Sequence, residues 1–170
     1  MLLKEKILMN KVLSREKGFT LVELLVVIAI IGILATLVLL QLGTARAKAR
    51  DVKRISDVTQ LRTAIELYFD DNGGRYPTAM TVANLGPYFS APALPTDPLA
   101  GTAYGYAFNP AINPTRFQVW TDLERLNAPA FAADADINSI GWSGSTINGA
   151  TESTTSCSAA NDCIYDQGQN

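Results

Sequence analysis

The stretch KGFTLVELL, residues 17–25, is the most informative part of this chain. It opens an apolar run from Phe19 to Leu42 in which Glu23 is the one charged residue. As a helix rising about 1.5 Å per residue, this run is roughly 36 Å long, enough to cross a hydrocarbon core of about 30 Å. It exceeds the roughly 7–15 apolar residues of a cleaved secretory signal, and no A-x-A-like cleavage site follows it. The run therefore predicts a membrane helix that stays in the mature product.

An acid inside such a helix indicates a function, because an unpaired charge in hydrocarbon is costly. Two interpretations of Glu23 remain open. In the first, its side chain snorkels to the nearby membrane interface. In the second, cleavage after Gly18 creates an α-amine on Phe19, and this amine pairs with the Glu23 carboxylate of a parallel, staggered neighbouring helix. Desolvation offsets much of the attraction in such a pair, so it would set subunit register more than stability.

The motif Gly18-Phe19-Thr20-Leu21-Val22-Glu23 resembles the signal of type IV pilins and type II secretion pseudopilins. The resemblance implies that a prepilin peptidase cuts after Gly18 and methylates Phe19, and that Glu23 pairs with a neighbour's N-terminus. It also implies self-association into a helical filament, with an assembly platform and minor pilins or pseudopilins as partners. The leader of residues 1–18 is longer than is usual for the family, and Met9 is an alternative start.

Charge is distributed unevenly along the chain. Residues 1–18 carry a net charge of +3 and residues 43–62 a net charge of +4, whereas residues 63–170 carry −8. Basic residues flank the apolar run equally, so the positive-inside rule does not orient it. The acidic head favours a single-pass inner-membrane protein with a cytoplasmic N-terminus and an extracytoplasmic head, which enters a filament after assembly.

Residues 43–72 predict an amphipathic stem helix that continues the membrane helix. Apolar residues recur there at helical spacing: Val52, Ile55, Val58, Leu61, Ile65 and Tyr68. Gly73 and Gly74 are suited to end the helix. A basic cluster from Arg46 to Arg54 could bind lipid phosphates or nucleic acid, but it lacks interleaved aromatic residues. We therefore expect a solvated face or a face that meets the acidic heads of neighbouring subunits, and nucleic acid binding is not favoured.

Residues 73–170 predict a C-terminal head with a loop-rich tail. Residues 102–108 and 116–122 read as a hairpin of two strands, a third strand is expected at residues 139–142, and a short helix fits near residues 80–85. A long helix packed on a small antiparallel sheet of about three strands is an α+β fold. Within the head, Tyr76-Pro77, Pro95-Thr96-Asp97-Pro98 and Tyr104-Gly105-Tyr106 resemble the major pseudopilin branch.

The head offers few groups for chemistry. In an exported domain Cys157 and Cys163 would form one disulfide, whereas in the cytosol they would be reduced thiols. The chain has no histidine, and no nucleophile–base pair, phosphate loop or metal cluster is evident, so an enzyme is not expected. The resemblance implies calcium in some C-terminal loops. Asp134, Asp136 and Asn138 are weak calcium candidates, because Ser139 and Ser145 stand where an EF-hand has Gly and Glu; an acidic surface turn is the alternative.

Two non-enzymatic functions follow from these patterns. The first is a structural subunit of a type IV pilus-like or type II secretion filament, and the sequence does not separate these two machines. The second is a signal-anchored surface receptor or adhesin that never assembles and keeps its residue 17–19 junction intact.

Overall fold

The computed structural model describes residues 18–90, 93–150, 157 and 163–170. The leader before Gly18 lies outside them. The described residues contain the helices α1 (Leu21–Asp71), α2 (Val82–Leu85) and α3 (Ala128–Phe131) and a 3-10 turn (Gly86–Tyr88). The strands are β1 (Gly105–Asn109), β2 (Arg116–Asp122), β3 (Ser143–Gly144) and β4 (Ile164–Gln169). The chain forms two compact units, Met1–Gly43 and Thr44–Asn170.

In the first unit, the described side chains are exposed throughout. The apolar ones include Leu24, Ile31 and Leu37, each more than half exposed. Among the described residues, α1 is the one helix that is long and apolar enough to cross a membrane, by length and composition. The helix predicted for Phe19–Leu42 is therefore present, beginning at Leu21.

In the second unit, the continuation of α1 buries one stripe against the sheet. Val58, Leu61 and Ile65 are fully buried, as the helical spacing predicts. Val52 was placed on this stripe but is 57% exposed. Asp51 and Arg54 take the buried positions at this end instead, because they lie seven residues, about two full turns, before Val58 and Leu61, whereas Val52 lies six residues before Val58. The buried stripe is thus apolar in the middle of the head and charged at its beginning.

The end of α1 is closed by two glycines in the left-handed region. Gly73 has φ of 68° and Gly74 has φ of 76°. The Gly74 N–H donates to the Phe69 carbonyl at 3.0 Å, the six-to-one hydrogen bond of a Schellman cap. The prediction that the helix ends at this Asp-Asn-Gly-Gly sequence is confirmed.

The sheet has four antiparallel strands in the order β3-β1-β2-β4, so the α+β expectation is confirmed with one strand more than predicted. Strand β1 begins later than expected, at Gly105, and faces Trp120 of β2. Gly105 leaves the space that the indole fills, since a Cβ there would lie 2.1 Å from the Trp120 ring. The third strand was misplaced: residues 139–142 form a turn, and the pairing with β1 starts at Ser143.

Strand β4 was not predicted. Its sequence, IYDQGQ, contains Asp, Gln and Gly, which are poor strand formers. It nevertheless pairs with β2 along six positions, from Phe117↔Gln169 to Asp122↔Ile164. Ile164 is fully buried, and Tyr165, on the face of the sheet that carries Phe117 and Val119, belongs to the same hydrophobic core as they do. Tertiary pairing therefore overrides local preference in this segment.

Candidate assembly site and the head interior

The predicted processing junction lies immediately before the first turn of α1. Gly18, Phe19 and Thr20 are non-helical and exposed, and the Phe19 side chain is 84% exposed. A Cβ added to Gly18 would meet nothing within 4 Å. Beyond this point the helix starts at Leu21, so the bond between Gly18 and Phe19 is not protected by helical hydrogen bonds.

Thr20 and Glu23 form a capping box at the start of α1. The Glu23 Oε2 accepts from the Thr20 backbone N–H at 2.8 Å and from the Thr20 hydroxyl at 2.8 Å. The Thr20 Oγ1 in turn accepts from the Glu23 N–H at 3.2 Å. This reciprocal pattern satisfies two backbone donors that the first turn of a helix otherwise leaves unpaired.

The capping box gives Glu23 a partner that the sequence analysis missed. Its signal was present, because Thr-x-x-Glu immediately before an apolar run is the capping-box pattern. The carboxylate is held at the N-terminal end of the helix, next to Phe19. Pairing of Glu23 with a neighbour's Phe19 amine stays a prediction, and the structure adds Thr20 as the residue that orients the acid.

The basic cluster of the stem is partly neutralised within the same chain. Arg54, whose side chain is 4% exposed, donates to Asp51 at 2.8 Å, to Asp97 at 2.5 Å and to Glu124 at 2.6 Å. The Arg50 Nε donates to Glu124 at 2.7 Å. The prediction that this face is solvated or meets other subunits is therefore wrong for Arg50 and Arg54, which fix the subunit's own head to its stem.

These contacts lower the pKa of two acids, Glu124 and Asp97. The Arg50 guanidinium, together with Arg54, outweighs partial burial and lowers the pKa of Glu124 to about 2. Burial by itself would raise the pKa of Asp97, but hydrogen bonds from Arg54 and from two backbone N–H groups lower it to about 2. Those N–H groups, of Leu99 and Ala100, donate to the Asp97 Oδ1 at 2.8 and 2.7 Å. The motif Pro95-Thr96-Asp97-Pro98 thus has a structural role, presenting Asp97 to the stem.

The three calcium candidates lie in the loop after α3, where the structure suggests a different organisation. The buried carboxylate of Asp166 accepts from the Ile137 N–H at 2.9 Å, the Ala135 N–H at 3.2 Å and the Gln118 amide at 2.6 Å. The Asn138 Oδ1 accepts from the Ile140 N–H at 3.0 Å, as in an Asx turn. Among the described residues, no group of three His, Cys, Asp or Glu side chains is placed to hold a metal ion. Calcium binding by Asp134 and Asp136 stays a prediction.

The two cysteines form a disulfide. Cys157 and Cys163 are joined with their Cα atoms 5.4 Å apart. Cys163 is fully buried in the core, and its carbonyl accepts from the Leu123 N–H at 2.9 Å. The bridge therefore ties Cys157 to the centre of the head.

Three features together define a pilin-type subunit. The helix α1 starts with Gly-Phe-Thr-x-x-Glu, its first part is apolar and exposed, and its stem packs on a small antiparallel sheet. Residues 13–39 match the family described as the prokaryotic N-terminal methylation motif. The chain is 35% identical to type II secretion system core protein G of Dickeya chrysanthemi over 130 residues, 76% of this chain and 80% of that protein.

Further relatives agree with this match. Core protein G of Pectobacterium carotovorum subsp. carotovorum is 37% identical over 76% of this chain and 78% of that protein. The type IV major fimbrial protein FimA of Dichelobacter nodosus is 47% identical over 31% of this chain and 34% of that protein. No solved structure matches the chain significantly. The chain belongs to the type II secretion system core protein G family, the major pseudopilins.

Proposed function

We propose that this chain is a non-catalytic structural subunit of a type II secretion filament. A prepilin peptidase cuts it after Gly18 and methylates the new N-terminus at Phe19, and the subunits then assemble through the apolar part of α1. The relatives and the N-terminal methylation motif support this function. An assembly platform and minor pseudopilins are the partners that such a filament requires.

The observation that carries the proposal is the capping box between Thr20 and Glu23. The box winds the first turn and directs the carboxylate toward the N-terminus of the helix. Before cleavage, the Phe19 nitrogen is an uncharged amide, and after cleavage it is a cationic amine with an ordinary pKa near 8. In a parallel helix displaced along its axis, that amine reaches the Glu23 of its neighbour. A subunit without its neighbour leaves the acid in hydrocarbon with Thr20 alone.

Before assembly, the exposed apolar surface of the first unit requires lipid. Side chains such as Leu21, Ile33 and Leu39 are each more than 60% exposed. We place this segment across the inner membrane, with the N-terminus in the cytoplasm and the head outside. A disulfide in the head agrees with that side, since disulfides persist in oxidising compartments.

Processing is tested by mass spectrometry of the full chain recovered from membranes of a host that carries a prepilin peptidase. We expect a chain that begins at Phe19 and carries one added methyl group. An intact residue 17–19 junction would favour the alternative function, a signal-anchored receptor or adhesin that never assembles.

Assembly is tested with two substitutions that separate charge from capping. Glu23→Gln keeps a hydrogen-bond acceptor for Thr20 but removes the charge, because Gln also serves in a capping box. Thr20→Val keeps the charge and the side-chain shape but removes the hydroxyl. We expect Glu23→Gln to be inserted and cleaved normally, yet to lose at least tenfold in sheared filament yield, whereas Thr20→Val loses less. Normal filaments from Glu23→Gln would refute charge pairing.

A further inference from the structure

The basic cluster of the stem divides into a paired and an unpaired part. Arg50, Lys53 and Arg54 have carboxylate partners within the second unit. Arg46 and Lys48 precede them on α1, and among the described residues neither has a carboxylate within ion-pairing distance. Arg125, from the loop after β2, joins these two cations, as its Nη1 donates to the Thr44 carbonyl at 3.2 Å. The unpaired charge is thus concentrated where the second unit begins.

A cavity of about 220 Å³ lies between the stem and this loop. It is lined by Lys48, Asp51, Val52, Arg125, Leu126 and Asn127. Two of these side chains are apolar and well exposed, Val52 at 57% and Leu126 at 41%. The site therefore presents two cations and an amide beside an apolar rim, an arrangement suited to an amphiphile with an anionic head.

Asp51 also lines the cavity, and its Oδ2 is buried without a hydrogen-bond partner among the described residues. Its Oδ1 accepts from Arg54 at 2.8 Å and from the Glu124 N–H at 2.9 Å. Arg50 and Arg54 lie behind it and balance the Glu124 carboxylate. Lys48 and Arg125 are the two cations of the cavity, so with the one carboxylate of Asp51 beside them the lining keeps a net positive charge.

Chain length keeps this cavity close to the membrane surface. Lys48 follows Leu42, the last residue of the apolar run, by six positions. Even a fully extended chain spans at most about 3.6 Å per residue, so the two Cα atoms lie within roughly 22 Å of each other in any arrangement of the units. Arg125 is held to the same region by its hydrogen bond to Thr44.

We infer that this cavity binds the headgroup of an anionic phospholipid on the side of the membrane where the head emerges. Arg125 donates to two phosphate oxygens, Lys48 supplies a point charge, and Val52 and Leu126 contact the glycerol and upper acyl region. The inference rests on the proposed membrane anchoring of residues 19–42. A basic group next to an anionic leaflet contributes about 1 kcal/mol, or about fivefold in affinity.

The test uses the full chain in nanodiscs that contain equal amounts of dioleoyl phosphatidylglycerol and dioleoyl phosphatidylcholine. Native mass spectrometry counts the lipids of each type that the released protein retains. We expect retained phosphatidylglycerol to exceed phosphatidylcholine at least fivefold. The double variant Lys48→Gln/Arg125→Gln should bring this ratio to about one. The matched control Arg75→Gln/Arg116→Gln, which removes the same charge elsewhere in the head, should leave it unchanged.

Other outcomes overturn the inference. A ratio near one for the unmodified chain, or an equal loss in both double variants, would show that no lipid is selected here. Inorganic phosphate that displaces phosphatidylglycerol at equal phosphorus concentration would identify a free-anion site instead. If Lys48→Gln/Arg125→Gln impairs filaments while lipid selection persists, the cations serve a subunit interface. Failure of the chain to enter nanodiscs would contradict the membrane anchoring itself, whereas insertion without lipid selection contradicts this inference alone.

Discussion

Replacing Arg54 by Met should destabilise the head more than any other single loss of a stem cation. Arg54 bonds three carboxylates at once, and its side chain and that of Asp51 are each 4% exposed. Met fills a similar volume without charge, so the substitution removes the ion pairs and leaves the packing of the stem largely intact.

The magnitude depends on what each acid retains. Glu124 keeps Arg50, and Asp97 keeps the N–H groups of Leu99 and Ala100. Asp51 keeps one hydrogen bond, from the Glu124 N–H. The cost is therefore mainly that of one buried, uncompensated carboxylate, about 3–5 kcal/mol. For a domain of this size we expect the melting temperature to fall by about 10–20 °C.

Tryptophan fluorescence is the suitable assay, because both tryptophans, Trp120 and Trp142, lie in the head. Urea or thermal unfolding of the full chain in detergent then reports on the second unit alone. Adding Asp51→Asn to Arg54→Met should recover a substantial part of the loss, since it removes the orphaned charge. Lys48→Met is the control: its side chain is exposed and, among the described residues, has no carboxylate within ion-pairing distance, so the cost should stay within about 0.5 kcal/mol. Equal stability of Arg54→Met and Lys48→Met would refute the reasoning.

Two further predictions concern the head. The stability that Arg54 confers should be lost as the pH falls from about 4 toward 2, chiefly through Asp97, whose pKa is about 2 in the folded chain against an ordinary value of 3.8. The lowered pKa of Glu124 depends first on Arg50, which Arg54→Met retains. The measurement is the difference in unfolding free energy between the unmodified chain and Arg54→Met across this pH range. Asp166, whose raised pKa acts in the opposite direction, is common to both chains and therefore cancels in the difference. A difference that stays constant with pH would contradict the prediction. Gly105→Ala should cost about 1–3 kcal/mol and alter the near-ultraviolet signal of Trp120, since the new Cβ would lie 2.1 Å from the indole. Gly101→Ser is a control for glycine replacement outside the core, because Gly101 is exposed and an added Cβ there would meet nothing within 4 Å. The φ of Gly101, 68°, predicts a modest loss of stability for this control.

Local sequence patterns are sufficient to predict those helices and strands that depend mainly on neighbouring residues. The apolar run, the periodic stem and the Asp-Asn-Gly-Gly cap predict α1 closely, because helical hydrogen bonds and caps depend on residues within a turn of each other. Strand β2 has the predicted bounds, Arg116–Asp122, since its alternating aromatic and β-branched residues favour a pleated strand. The Thr-x-x-Glu signal was equally local but was overlooked.

Contacts between distant residues could not be read in the same way. Arg54 and Glu124 are 70 positions apart, and the sequence shows only that a basic stem precedes an acidic head. Whether those charges meet within one subunit or between two depends on which face of α1 the sheet covers. The position of β4 likewise depends on its pairing with β2, since its own composition disfavours a strand.

Composition and short-range periodicity are enough to predict the membrane-length helix, the processing motif and the α+β class. Which carboxylate each stem cation meets depends instead on the folded arrangement. Packing of α1 on the sheet brings Arg50 and Arg54 to the head's own acids and leaves Arg46, Lys48 and Arg125 without such partners among the described residues. Long-range ion pairs form only where folding places both side chains within a few ångströms, and a linear sequence does not contain that distance.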